Sequence, residues 1–134
     1  MSLYEFELPI RVRYQETDQM GVVYHANYLT YFEMGRTEAF RSLGHTYHDM
    51  EASGLFCVVV HAECDYKKPA KYDDLLTLKV ILKRVTRVKV EHEYRLYRGE
   101  ELLATGKTTL AVVDRHGSIS TVPNWMLPSA DSEI

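Results

Sequence analysis

From Leu76 to Asp114 three strand-like runs follow one another with almost nothing between one run and the next, and the first two alternate apolar and polar residues. Leu76, Leu78, Val80 and Leu82 share one parity against Thr77, Lys79 and Lys83. Val88, Val90, His92, Tyr94 and Leu96 then alternate with Lys89, Glu91, Glu93, Arg95 and Tyr97, and a third run fills Leu102 to Asp114. A period of two marks strands with one buried face. The breaks are a few residues at Thr86, the turn Arg98-Gly99-Glu100, and the turn Asp114-Arg115-His116-Gly117 that closes the last run. Connections this short permit only antiparallel pairing, because a parallel return needs a dozen residues or more. The stretch must form an antiparallel meander, and one face of that meander needs a cover.

The cover lies upstream. Asn27 is a good helix cap, and Tyr28, Phe32, Gly35 and Ala39 follow at helical spacing, so a helix is expected to run to about Leu43 and stop at Gly44. Before it, Phe6, Leu8, Ile10, Val12 and Tyr14 share one parity of a strand from Tyr4 to Tyr14, where Pro9 signals an edge or a bulge. After the helix, His45 to Ser53 reads as a short helix or an irregular loop. Phe56, Val58, Val59, Val60 and Ala62 then form a strand that Pro69 interrupts. Gly106 is expected to make a bulge in the last long strand. One strand, one long helix and about four more strands fit an α+β architecture, a curved antiparallel sheet wrapped around the helix. The 134 residues suit one domain over 1–134, with 129–134 expected to be a flexible tail.

Several function classes drop out. No apolar run approaches the roughly 20 residues of a spanning helix, and the start Met-Ser-Leu-Tyr-Glu-Phe-Glu lacks the layout of a secretion signal, so a cytoplasmic protein is expected. A net charge of -3 and a pI near 6.1 argue against nucleic-acid binding. Cys57 and Cys64 stand an odd number of positions apart, which on one continuous strand puts them on opposite faces, as reduced thiols. Neither has an activating neighbour in sequence, and no Gly-x-Ser-x-Gly elbow occurs, which disfavours serine and cysteine hydrolases. His45 and His48, beside Asp49 and Glu51, lack the glutamate and third ligand of a zinc motif, so no metal site is expected. His61 and His92 fall in apolar strand patterns and read as satisfied interior or interface histidines.

The chemistry concentrates between Tyr14 and Arg36, where Asp18 stands on a glycine-containing loop just ahead of the helix. A helix start offers unpaired N–H groups and partial positive charge, so it can hold a polarised carbonyl oxygen while a carboxylate attacks or activates water. Taken alone, a loop aspartate is more often a turn or cap.

Tyr14, Thr17-Asp18, Gly21-Val22-Val23-Tyr24-His25, Asn27-Tyr28, Phe32-Glu33 and Arg36 form one block. Asp65-Tyr66-Lys67-Lys68-Pro69-Ala70 and Tyr72-Asp73-Asp74 form a second. Together they resemble the hot-dog-fold acyl-CoA thioesterases, in the branch related to 4-hydroxybenzoyl-CoA thioesterase and to the thioesterase associated with the Tol-Pal cluster. The resemblance implies an acyl-CoA thioesterase in which Asp18 is the nucleophile or the base for water, and in which the main-chain N–H at His25 binds the thioester oxygen. The His25 side chain can orient water or carry a proton, or simply bond locally. Gly21 serves the loop backbone. Tyr24 lines the pocket or fills the core, and Val23 and Asn27 complete the expected substrate contacts. Glu33 is a secondary acid, more simply paired with Arg36. No cofactor is implied, since coenzyme A belongs to the substrate.

Lys67, Lys68 and Lys71, with Arg84, Arg87 and Lys89, are the cations suited to coenzyme A phosphates, although lysines also guard strand edges. Ten tyrosines and a single wrapped sheet point to self-association. The resemblance implies a homodimer, doubled to a homotetramer, with shared sites. Acyl carrier protein is open as thioester donor. Two other readings remain: an acyl-thioester dehydratase or hydratase using His25 and Glu33, and a non-catalytic acyl-CoA-binding module.

Overall fold

A computed structural model describes residues 2–126, and the tail expected over 129–134 lies outside them. The chain forms β1 (Tyr4–Arg11), α1 (Asn27–Ser42), α2 (Tyr47–Ala52), β2 (Phe56–Tyr66), β3 (Leu75–Val85), β4 (Lys89–Arg98) and β5 (Glu101–Val113). The strands make one antiparallel sheet in the order β1-β3-β4-β5-β2. The meander is β3-β4-β5. β1 adds at one edge, as Pro9 predicts, and β2 forms the other. Tyr14 leaves the strand: it opens a short 3₁₀ turn over Tyr14–Glu16 and is exposed, so the inward parity stops at Val12.

Helix α1 supplies the cover. Tyr28, Tyr31, Phe32, Gly35 and Ala39 are buried on its sheet-facing side against Leu76, Leu78, Val80 and Leu96. Burying a ring such as that of Phe32 is worth roughly 2–3 kcal/mol. A second cluster joins Phe40 at the helix C-terminus to Met50 of α2 and to Leu82, Val90, Leu110 and Val112 of the sheet. The helix ends as expected, with Gly44 at φ 91° just past its last turn. Its start differs from expectation. Ala26 occupies the cap position, and Asn27 instead donates its side-chain amide to the Glu16 carbonyl at 2.9 Å.

Gly106 is not a bulge. It pairs in register with Tyr94 and Cys64, and it is glycine because the Phe32 ring lies on its Cα. Register breaks fall instead between Val59 and His61, between Leu82 and Arg84, and between Leu96 and Tyr97. The first of these flips the parity of β2. Cys57 and Cys64 therefore both pack toward the core, one against each cluster, contrary to the opposite faces expected. Seven residues of strand hold them roughly 20 Å apart, and both are free. His61 is exposed near Glu63. His92 is buried, but its Nδ1 finds no partner among the described residues. Burial, helped by the Arg36 charge, pushes its pKa down to about 3 and keeps the ring neutral.

Candidate active site

The loop between β1 and α1 is built around Glu16. This carboxylate is buried, and it accepts hydrogen bonds from the Arg13 N–H (2.8 Å), the Tyr31 hydroxyl (2.8 Å) and Arg13 Nε (3.0 Å). Burial opposes its ionisation, but these donors and the guanidinium charge outweigh that and hold its pKa below the ordinary value. Its carbonyl receives both the Tyr24 N–H (2.9 Å) and the Asn27 amide, tying the loop to the helix start. The side chain thus anchors the loop to α1 while the main chain sets where the helix begins. Glu16→Gln should cost about 1–3 kcal/mol by replacing an acceptor with a donor opposite Arg13. The sign with pH is fixed by the lowered pKa. The stability from Glu16 is fully present above the carboxyl's unfolded pKa and is lost as pH falls through the lower folded value. Thermal unfolding of both proteins should show a gap at neutral pH that closes below about pH 4.

From this anchor the chain turns tightly. Gly21 adopts φ 77°, as its place in the loop predicts. The Asp18 N–H donates to the Val22 carbonyl (2.9 Å), and Asp18 Oδ1 accepts from the N–H groups of Met20 (2.8 Å) and Val22 (3.4 Å). The carboxylate is exposed and keeps its second oxygen clear of these bonds. Val23 is buried and donates its N–H to Ala70 (2.8 Å), which joins this loop to the one between β2 and β3. That second loop is itself pinned. Tyr28 accepts the Ala70 N–H, and Arg98 donates to the Pro69 carbonyl, to Asp74 (2.7 Å) and to Glu101 (2.7 Å).

An open cleft of about 370 Å³ lies between the two loops, lined by Asp18, Val23, His25, Tyr28, Tyr66 and Lys67, with Lys68 and Pro69 at its side. Asp18 and His25, far apart in chemical type and seven positions apart in sequence, meet on this one surface. Among the described residues, the N–H groups of His25 and Ala26 have no hydrogen-bond acceptor, and no acidic side chain occupies the first turn of α1 to neutralise its dipole. The His25 ring packs against Tyr24 (centroids 4.4 Å apart) and, edge-on, Tyr66 (6.5 Å). Tyr24 is half exposed beside the cleft and does not fill the core.

Of the expected cations, Lys67 and Lys68 both stay at the cleft, Lys68 while pairing with Glu101 at 3.1 Å. Other expected members separate. Arg87 and Lys89 sit at the far end of β4, a strand of ten residues and so roughly 30 Å from the Arg98 end. Glu33 and Arg36 form no ion pair among the described residues. They line a different cleft with Tyr47 and Cys57, so Glu33 does not face His25 across one site. Among the described residues no three His, Cys, Asp or Glu side chains gather as metal ligands, and no helix is long and apolar enough to cross a membrane. Sequence reasoning gave no role to Glu16, or to Tyr66 although Tyr66 stands in the second block. The hydroxyl of Tyr66 donates to the His25 carbonyl at 2.9 Å across 41 positions, a contact that no local pattern announces.

The model of the thioesterase-like superfamily matches residues 12–129, a span that holds both loops and every strand after β1. The chain belongs to that superfamily. Within it, the acyl-CoA thioesterase YbgC of Haemophilus influenzae is 40% identical over 110 residues, covering 81% of this chain and 81% of the relative. A solved DHNA-CoA thioesterase from Staphylococcus aureus superposes with a TM-score of 0.81 at 32% identity, covering 88% of this chain and 79% of that one. A 1,4-dihydroxy-2-naphthoyl-CoA thioesterase from Synechocystis reaches a TM-score of 0.88 at 19% identity over 97% of this chain and all of its own, a likeness of fold alone. The superfamily's hot-dog architecture is the sheet and helix described above.

Proposed function

We propose that this thioesterase-superfamily protein hydrolyses acyl-CoA to a carboxylic acid and free coenzyme A. The observation that carries the reading is the meeting, on one open cleft, of the Asp18 carboxylate and the unoccupied His25 N–H at a helix start. A thioester carbonyl directed at that N–H gains positive potential where negative charge develops, and a donor of this kind is typically worth roughly 10²–10³ in rate. Asp18 either attacks the carbonyl carbon, expelling the thiolate of coenzyme A and leaving a mixed anhydride that water then cleaves to the acid and free Asp18, or removes a proton from a water that attacks the carbonyl directly and expels the thiolate. Lys67 and Lys68 stand where they can meet the phosphates of the leaving group. Arg87 and Lys89 join them only where another subunit brings them to the mouth. The names of the relatives support the coenzyme A thioester as substrate. Thiol release from a panel of short, long and aromatic acyl-CoAs tests the reading. Hydrolysis of at least one is expected, and tight binding without release of any thiol would replace the enzyme with a binding module.

The reading includes a homodimer built on β2. This edge strand of 11 residues carries Val58, Val59 and Val60 at 40%, 48% and 55% exposure, an apolar edge of the kind that a monomer normally blunts. Antiparallel pairing of two β2 strands would make one ten-stranded sheet and bring a second copy beside the cleft. Doubling of that dimer gives the tetramer. Light scattering after size exclusion should give a dimer or tetramer for the native chain and a monomer for Val59→Lys. A monomeric native chain would sink the assembly and leave the chemistry standing.

A further inference from the structure

His25 is held from both sides. On its N-terminal side, the Tyr24 carbonyl accepts the Asn27 N–H at 2.9 Å. A trans peptide unit is planar, so the N–H of His25 in that same unit points the opposite way, out of the helix end. On its C-terminal side, the His25 carbonyl accepts the Tyr66 hydroxyl at 2.9 Å and, more weakly, the Tyr28 N–H at 3.3 Å. The helix itself supplies the first of these restraints. The Tyr66 bond comes from the sheet.

Tyr66 is well placed to impose that restraint. It is the last residue of β2, in register with Ala104 of β5, and the next two residues donate their N–H groups to the Leu103 carbonyl at 2.9 and 3.1 Å. Its ring stands edge-on to Tyr28, with centroids 4.9 Å apart and planes at 86°. The ring is therefore set by a strand and by a buried neighbour, while half of its surface faces the cleft. Partial burial, reinforced by Cys64, pushes the phenol pKa up to about 12, so the group remains a donor throughout the neutral range.

We propose that Tyr66 is a positioning residue for thioester cleavage, fixing through its bond to the His25 carbonyl the stretch of backbone whose N–H receives the developing oxyanion. This rests on the hydrolytic reading given above. An oxyanion donor acts only over a narrow range of distance and direction, and small misplacements of a reacting group are costly. A tether from the sheet couples the helix start to the β2–β3 loop that forms the opposite wall of the cleft. The two walls then hold a common geometry when substrate enters.

Tyr66→Phe tests this, since it deletes one hydroxyl and keeps the ring against Tyr28. With an acyl-CoA that the native protein hydrolyses, kcat should fall roughly tenfold to a hundredfold, with KM within about twofold and Tm nearly unchanged, as befits a half-exposed position. Unchanged kcat in the variant, or a loss matched by a higher KM or a lower Tm, would overturn the positioning role and leave the hydrolytic reading intact. A native protein that releases no thiol from any acyl-CoA would overturn both.

Discussion

Asp18→Asn should reduce thiol release by roughly 10³-fold while leaving the fold alone, because proton transfer by a placed side chain contributes about 10²–10⁴ to a rate. The substitution is informative because of how Asp18 is held. Its Oδ1 accepts the Met20 and Val22 N–H groups, and an asparagine carbonyl oxygen can accept the same two bonds. The turn, the positive φ of Gly21 and the path back to the helix should all survive, so Tm should stay within about 2 °C of the native value for so exposed a site. The second oxygen, the one free to attack or to take a proton, becomes an amide nitrogen that can do neither. KM should move little, since the amide is nearly the same size. Steady-state thiol release by the two proteins, beside their melting curves, checks this. Activity retained within a few-fold would remove Asp18 from the chemistry and leave the cleft as a binding surface.

The parts of this molecule that were legible in the sequence are those set by short-range periodicity. Alternation over 76–97 located β3 and β4, the long run between the turns at Gly99 and Gly117 located β5, and the spacing of Tyr28, Phe32, Gly35 and Ala39 identified the face of α1 that meets them. What the sequence hid depends on tertiary contact. The single extra residue in β2 between Val59 and His61 reverses which side chains face inward, and nothing in Val-Val-Val-His announces it. Glu16 looks like one more polar loop residue until the hydroxyl of Tyr31, fifteen positions on, closes over it. Asn27 has the chemistry of a helix cap, yet its amide turns to donate Nδ2–H to the Glu16 carbonyl, and the cap position falls on Ala26. The same limit separates the two halves of the candidate site. Asp18 and His25 sit within one readable segment, whereas Tyr66 and Arg98 arrive from strands whose register decides where they end up.

Gly106→Val should damage the fold severely, lowering stability by about 3 kcal/mol and Tm by roughly 10 °C. Valine suits a strand better than glycine does, so propensity alone predicts a gain. Packing decides the opposite sign. A Cβ at this position would come within 2.6 Å of Phe32 Cζ, overlap the neighbouring ring carbon more closely still, and stand 3.1 Å from the Glu63 carbonyl. The Phe32 ring has nowhere to go, being fully buried and stacked on Tyr94 with centroids 4.4 Å apart and planes at 9°. It is also a side chain of α1, so pushing it outward lifts the helix off the sheet. Gly35 marks a second close approach one turn along, where a Cβ would meet Leu78 and Val80 at 2.5 and 2.6 Å. The separation of helix and sheet is thus set by two missing side chains, and the bond from Tyr66 to His25 depends on that separation. Shortening the ring supplies the check. Phe32→Leu alone should cost about 1–2 kcal/mol through the space it opens, but in the Gly106→Val background it should recover part of the loss. Chemical denaturation of both single variants and the double variant measures the coupling. Strict additivity would mean that Phe32 is not what excludes a side chain at Gly106.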